Sequence, residues 1–109
     1  LTSENLWQLT QQPRRLAVLG GGPIGCEMAQ SFARLGSDVT LIEASERILV
    51  REDADVSAEV LKSFKADGVR VLTKHKAVSF GTDGNEKWLL ADGPDGQVKV
   101  IFDEVLVAL

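Results

Sequence analysis

An apolar run from Leu16 to Leu19 breaks into three consecutive glycines, Gly20, Gly21 and Gly22, and passes at once into a segment with helical spacing. A buried strand that turns so abruptly into a helix is the opening of a β-α-β unit, and little else suits it. Pro23 belongs in the first helical turn, because its ring fixes φ and the donor it lacks has no intrahelical acceptor there. Ile24, Met28, Phe32 and Leu35 mark the helix's apolar face, and Gly36 stops it.

The pattern then repeats. Val39 to Ile42 forms a second strand, and Val56, Val60, Leu61 and Phe64 define a second amphipathic helix. Glu52, Asp53 and Asp55 lie near its positive end and Gly68 stops it, before a third strand over Val69 to Leu72. Right-handed crossovers place these strands in one parallel sheet. Ala77 to Phe80, Trp88 to Leu90 and Val98 to Phe102 are separated by the turn sequences TDGN and DGPDG, which predicts a three-stranded antiparallel meander. Glu104 to Leu109 then supplies a last apolar strand that returns to the sheet. The expected class is α/β, a Rossmann-like βαβαβ sheet with a meander and a returning strand. Residues 1–14 read as a connector and residues 15–109 as the domain, with both ends having the look of a cut from a longer chain.

Gly20, Gly22 and Gly25 satisfy G-x-G-x-x-G in this strand-to-helix context, which is the pattern of a dinucleotide site. Gly20 turns the chain out of the strand, Gly22 lets bare backbone approach a pyrophosphate, and Gly25 lets helix and strand pack closely. The unpaired amides and dipole of the helix start favour anions, so the amides of Gly22 and Ile24 are the expected phosphate donors, whereas Pro23 has none to give. Glu43 closes the second strand 18 residues beyond Gly25. It is either a solvated acid at a strand end or the carboxylate that accepts the ribose hydroxyls, and the spacing of about 20 favours the second. In that role it attracts a 2′-OH and repels a 2′-phosphate, selecting NAD(H) over NADP(H). Arg47 could meet a 2′-phosphate, but pairing with an acidic neighbour or capping its loop competes with that use.

The formal charge of −4, with no Lys or Arg cluster, argues against a nucleic-acid partner. No apolar run approaches the roughly 20 residues of a membrane span and no signal-peptide pattern is present, so a cytoplasmic protein is expected. The lone Cys26 can form no internal disulfide and reads as a packing residue in the first helix. No Cys/His cluster suggests a metal. His75 suggests no function, and Trp88 reads as packing.

GGGPIGCEMAQSFARLGSDVTLIEASERIL resembles the NAD(P)H-binding domain of the pyridine nucleotide-disulfide oxidoreductases, flavoenzymes of the mercuric reductase and dihydrolipoamide dehydrogenase kind. The likeness spans nearly the whole chain, from a TSEN-x-WxL lead-in through E-A-x-x-R-I-L to the closing D-E-V-L-V-A. It implies that NAD(H) gives hydride to FAD bound mainly outside this stretch, in a homodimeric parent with separate FAD-binding and dimerisation domains. It also implies that Glu27 lies near nicotinamide and flavin, although an acid near a helix start needs no such reason. Ala44 and Arg47, in the E-A-x-x-R-I-L stretch, join the cofactor-contacting candidates. The family's redox cysteine pair, FAD fingerprint and C-terminal base are absent here, so no complete catalytic cycle is expected of this stretch. Three alternatives stay open: an NADP(H) site, the ADP half of an FAD site, and a non-catalytic nucleotide-binding module.

Overall fold

The computed structural model describes residues 12–109; most of the expected connector, residues 1–11, lies outside the described residues. In chain order the elements are β1 (Arg15–Leu19), α1 (Pro23–Arg34), β2 (Asp38–Ile42), α2 (Ala54–Ala66), β3 (Arg70–Leu72), β4 (Lys76–Asp83), β5 (Glu86–Gly93), β6 (Gly96–Phe102) and β7 (Glu104–Val107). A parallel sheet has the order β3-β2-β1-β7, and β4-β5-β6 form a separate antiparallel sheet. The expected α/β architecture is found, including the returning strand beside β1.

Handedness explains the layering. The steps from β1 to β2 and from β2 to β3 move in one direction across the sheet, so right-handed crossovers put α1 and α2 on the same face. The return from β3 to β7 runs the opposite way, and the same handedness sends the meander to the other face. The parallel sheet is therefore buried on both sides, and its strands carry an apolar residue at nearly every position. Leu16, Val18, Val39, Leu41 and Leu106 pack toward the helices with Ala29 and Phe64, whereas Ala17 and Ile42 meet Leu89, Ala91, Val100 and Phe102 of the meander.

A single residue, Asp103, joins β6 to β7. It accepts hydrogen bonds from the Arg15 amide (2.9 Å) and from its guanidinium Nη2 (2.9 Å), pinning the meander's exit to the start of β1.

Two features differ from expectation. The buried stripe of α1 is made by Gly25, Cys26 and Ala29, with Met28 and Phe32 packing beside it, while Ile24 (53% exposed) and Leu35 (67%) face outward. Small residues let the helix approach the sheet, so the contact line follows them rather than the largest apolar side chains. Leu35 belongs to the helix cap and Ile24 to the first, half-open turn. The meander strands are also longer than the apolar runs, because the ladders continue through polar residues to the two-residue turns at 84–85 and 94–95. No helix among the described residues is long and apolar enough to cross a membrane.

Candidate functional site

All four parallel strands end along one edge of the sheet, and the strand order reverses between β1 and β7. Loops diverge at such a switch point and leave a crevice outside the carboxyl ends. Here it is a cleft of about 440 Å³ lined by Gly21, Gly22, Pro23 and Ile24 on one side, by residues 49–52 on another and by Ala108 and Leu109 on the third.

Backbone contact dictates the glycines at its floor. Gly20 has a φ of +116°, and a Cβ there would lie 2.6 Å from the Ala108 carbonyl oxygen. A Cβ on Gly25 would overlap the Gly20 carbonyl oxygen, so strand end and helix start meet main chain to main chain. Gly22 is the opposite case: a Cβ there would meet nothing within 4 Å. Its openness is what close approach by a ligand requires. Gly22 is also the residue capping α1, with no side-chain cap. Among the described residues, the amides of Gly22 and Ile24 donate to no protein acceptor.

The Glu43 carboxylate turns back on the glycine turn. Its Oε1 accepts from the Gly21 amide (2.7 Å) and its Oε2 from the Ser45 amide (2.6 Å). Burial pushes its pKa up, but the hydrogen bonds from Ser45, Gly21 and Ala44 together outweigh burial and hold the acid below its ordinary value. The Gly21 and Ser45 amides thus hold one carboxylate oxygen each.

Gly20, Gly22, Pro23, Ile24, Gly25 and Glu43 are thus brought together. Ala44 is exposed beside Glu43, to which its amide contributes. Arg47 donates through Nη2 to the carbonyls of Glu52 (3.1 Å) and Val50 (3.4 Å), which is the loop-capping use. Glu27 is exposed, without a hydrogen bond among the described residues, and borders a shallow depression with Pro23, Cys26 and Gln30. Cys26 is buried, its Sγ donates to the Gly21 carbonyl (3.4 Å), and burial first and the Glu43 charge second push its thiol up to about 11. Such a thiol is a packing group, not a nucleophile. Sequence reasoning missed Gly21, Ser45, the 49–52 wall and Ala108. The run of three glycines, one more than the motif needs, was the available signal for Gly21.

The geometry has relatives. The family model described as pyridine nucleotide-disulphide oxidoreductase matches residues 1–109. The chain belongs to that family. Mercuric reductase of Streptomyces lividans is 40% identical over 99% of this chain and 23% of its own length, and dihydrolipoyl dehydrogenase of Bacillus subtilis is 37% identical over 100% and 23%. Among solved structures, a Cu(II) complex of an HOCl-induced flavoprotein disulfide reductase from Escherichia coli superposes with a TM-score of 0.87 at 30% identity, over 99% of this chain and 24% of that one. The chain therefore spans about a quarter of the length of these family members. The family is one of oxidoreductases, and its proteins combine flavin and pyridine nucleotide.

Proposed function

We propose that this chain binds NAD(H) and holds it for hydride transfer to FAD carried by other parts of a pyridine nucleotide-disulphide oxidoreductase. The observation that carries the reading is the Gly21–Glu43 hydrogen bond, which keeps an ionised acid beside the glycine turn at the sheet's switch point. Diphosphate oxygens would accept from the amides of Gly22 and Ile24 at the positive end of α1. The Glu43 carboxylate would accept the ribose hydroxyls, and a 2′-phosphate there would meet a like charge. The Glu43 charge thereby favours NAD(H) over NADP(H).

Nicotinamide supplies the hydride chemistry when bound. The chain's own contribution is to fix the carrier's diphosphate and ribose, so that transfer becomes effectively unimolecular. Pro23 and Ile24 continue the cradle along α1 toward Glu27, which on this reading faces the reacting end. FAD-binding and dimerisation domains, and a homodimeric parent, complete the assembly.

Titration of the full chain with NADH, NADPH and FAD tests this. NADH should bind tightest, and Glu43→Ala should weaken NADH by about 1–3 kcal/mol, the scale for hydrogen bonds to a charged group, while affecting NADPH less. Unchanged NADH affinity in that variant would remove the ribose role. Copurification of the chain with yellow flavin would instead make this the ADP-half site of FAD.

A further inference from the structure

Leu49 has a φ of +51°, one of only two non-glycine residues with positive φ among those described. The left-handed region is unfavourable for a residue with a large side chain and persists only where surroundings over-determine it. They do so here from three directions. The Leu49 amide donates to the Gly21 carbonyl (2.7 Å), and its side chain is buried in the helix-side core. Ser57, itself buried in α2, donates through Oγ to the carbonyls of Ile48 (2.8 Å) and Leu49 (3.2 Å). Arg47 closes the loop from the outside by donating to the carbonyls of Val50 and Glu52. The kink they lock directs residues 49–52 along the cleft opposite Gly22.

We infer that Arg47 and Ser57 are positioning residues, which clamp the Leu49 kink so that residues 49–52 stand as the outer wall of the dinucleotide cleft. This rests on the proposed dinucleotide site. Arg47 then does not discriminate between ligands, because it acts on main-chain carbonyls on its own side of the loop. Gly21 links the two halves of the site: its N–H orients Glu43 and its carbonyl accepts from the Leu49 amide.

The test compares Arg47→Ala, Arg47→Lys and Ser57→Ala in the full chain, reading NADH and NADPH affinity together with amide hydrogen exchange at residues 49–52. Arg47→Ala should weaken NADH and NADPH by the same factor, on the order of tenfold, as expected for losing hydrogen bonds from a charged donor. Exchange at 49–52 should speed up by a similar factor. Arg47→Lys, which keeps a donor but not the planar fork, should recover part of both effects. Ser57→Ala should reproduce them from the α2 side, and covers the case in which Arg47→Ala fails to fold. Loss of NADPH binding alone would overturn the inference in favour of a direct 2′-phosphate contact. Unchanged exchange at 49–52 would overturn it as well. Should the wild type bind no dinucleotide, the proposed site fails, while exchange still decides whether the clamp exists.

Discussion

Glycines do different work on the two faces of this molecule. At the switch point of the parallel sheet they let main chain meet main chain: Gly25 against the Gly20 carbonyl, Gly20 against the Ala108 carbonyl. In the meander two of them lie under rings, Gly81 beneath the Trp88 indole and Gly93 beneath His75. A carbonyl fixed in a strand end has nowhere to go, whereas a ring on a sheet surface can rotate about its own side-chain bonds. The first kind of glycine holds a site in place, and the second shapes a packing surface.

The largest predicted effect tests that contrast at its tightest point. Gly25→Ala should destabilise the chain by about 3 kcal/mol, the upper end for overpacking, because the colliding partner is backbone. It should also separate α1 from β1 and weaken dinucleotide binding with it. Urea unfolding and an NADH titration on one preparation measure both. Gly81→Ala should cost about 1 kcal/mol, because Trp88 is half-buried and can tilt, and NADH affinity should stay as it is. The ring's environment is distinctive, with Lys99 Nζ 5.6 Å from its centroid, so a shift in tryptophan fluorescence should report the tilt. If Gly81→Ala proves as costly as Gly25→Ala, the two classes of glycine are one.

The same contrast governs how much of the molecule its residues announced. The Leu16–Leu19 run, the glycine spacing and the two turn sequences sufficed for element order and for the returning strand, because each is a local signal set by chain geometry. The inward stripe of α1 was not legible from its large apolar residues. Close helix-to-sheet packing depends on what is missing at Gly25 and Ala29, and a search for bulky periodicity passes over small residues. Nor did anything in SERILVRED mark the wall of the cleft. A left-handed kink is ordinarily signalled by glycine or asparagine, and here a leucine is forced into it by partners as distant in sequence as Gly21. Glu43 was legible as an acid at a strand end, but its bond to the Gly21 amide depends on how two loops meet.

That bond leads to the smallest of the predicted effects, a dependence on pH confined to the site face. Burial raises the Glu43 pKa, and the amides of Ser45, Gly21 and Ala44 more than offset this, so the folded value lies below the ordinary 4.5. An acid lowered in this way contributes stability that is complete above its unfolded pKa and is lost as pH falls through its folded one. The stability difference between the wild type and Glu43→Gln should therefore be constant near neutrality and shrink once pH drops below about 4.5. Asp103 is lowered too, chiefly through its hydrogen bond with Arg15, but it is present in both proteins and cancels from the difference. The Cys26 thiol, up at about 11, stays protonated throughout and adds nothing in acid. Urea midpoints of the two proteins, followed into acid, provide the measurement. A difference that stays flat through the acid range would mean that the loop amides do not hold the Glu43 carboxylate. The glycine turn would then position main chain alone, and the site face would differ from the meander only in its packing.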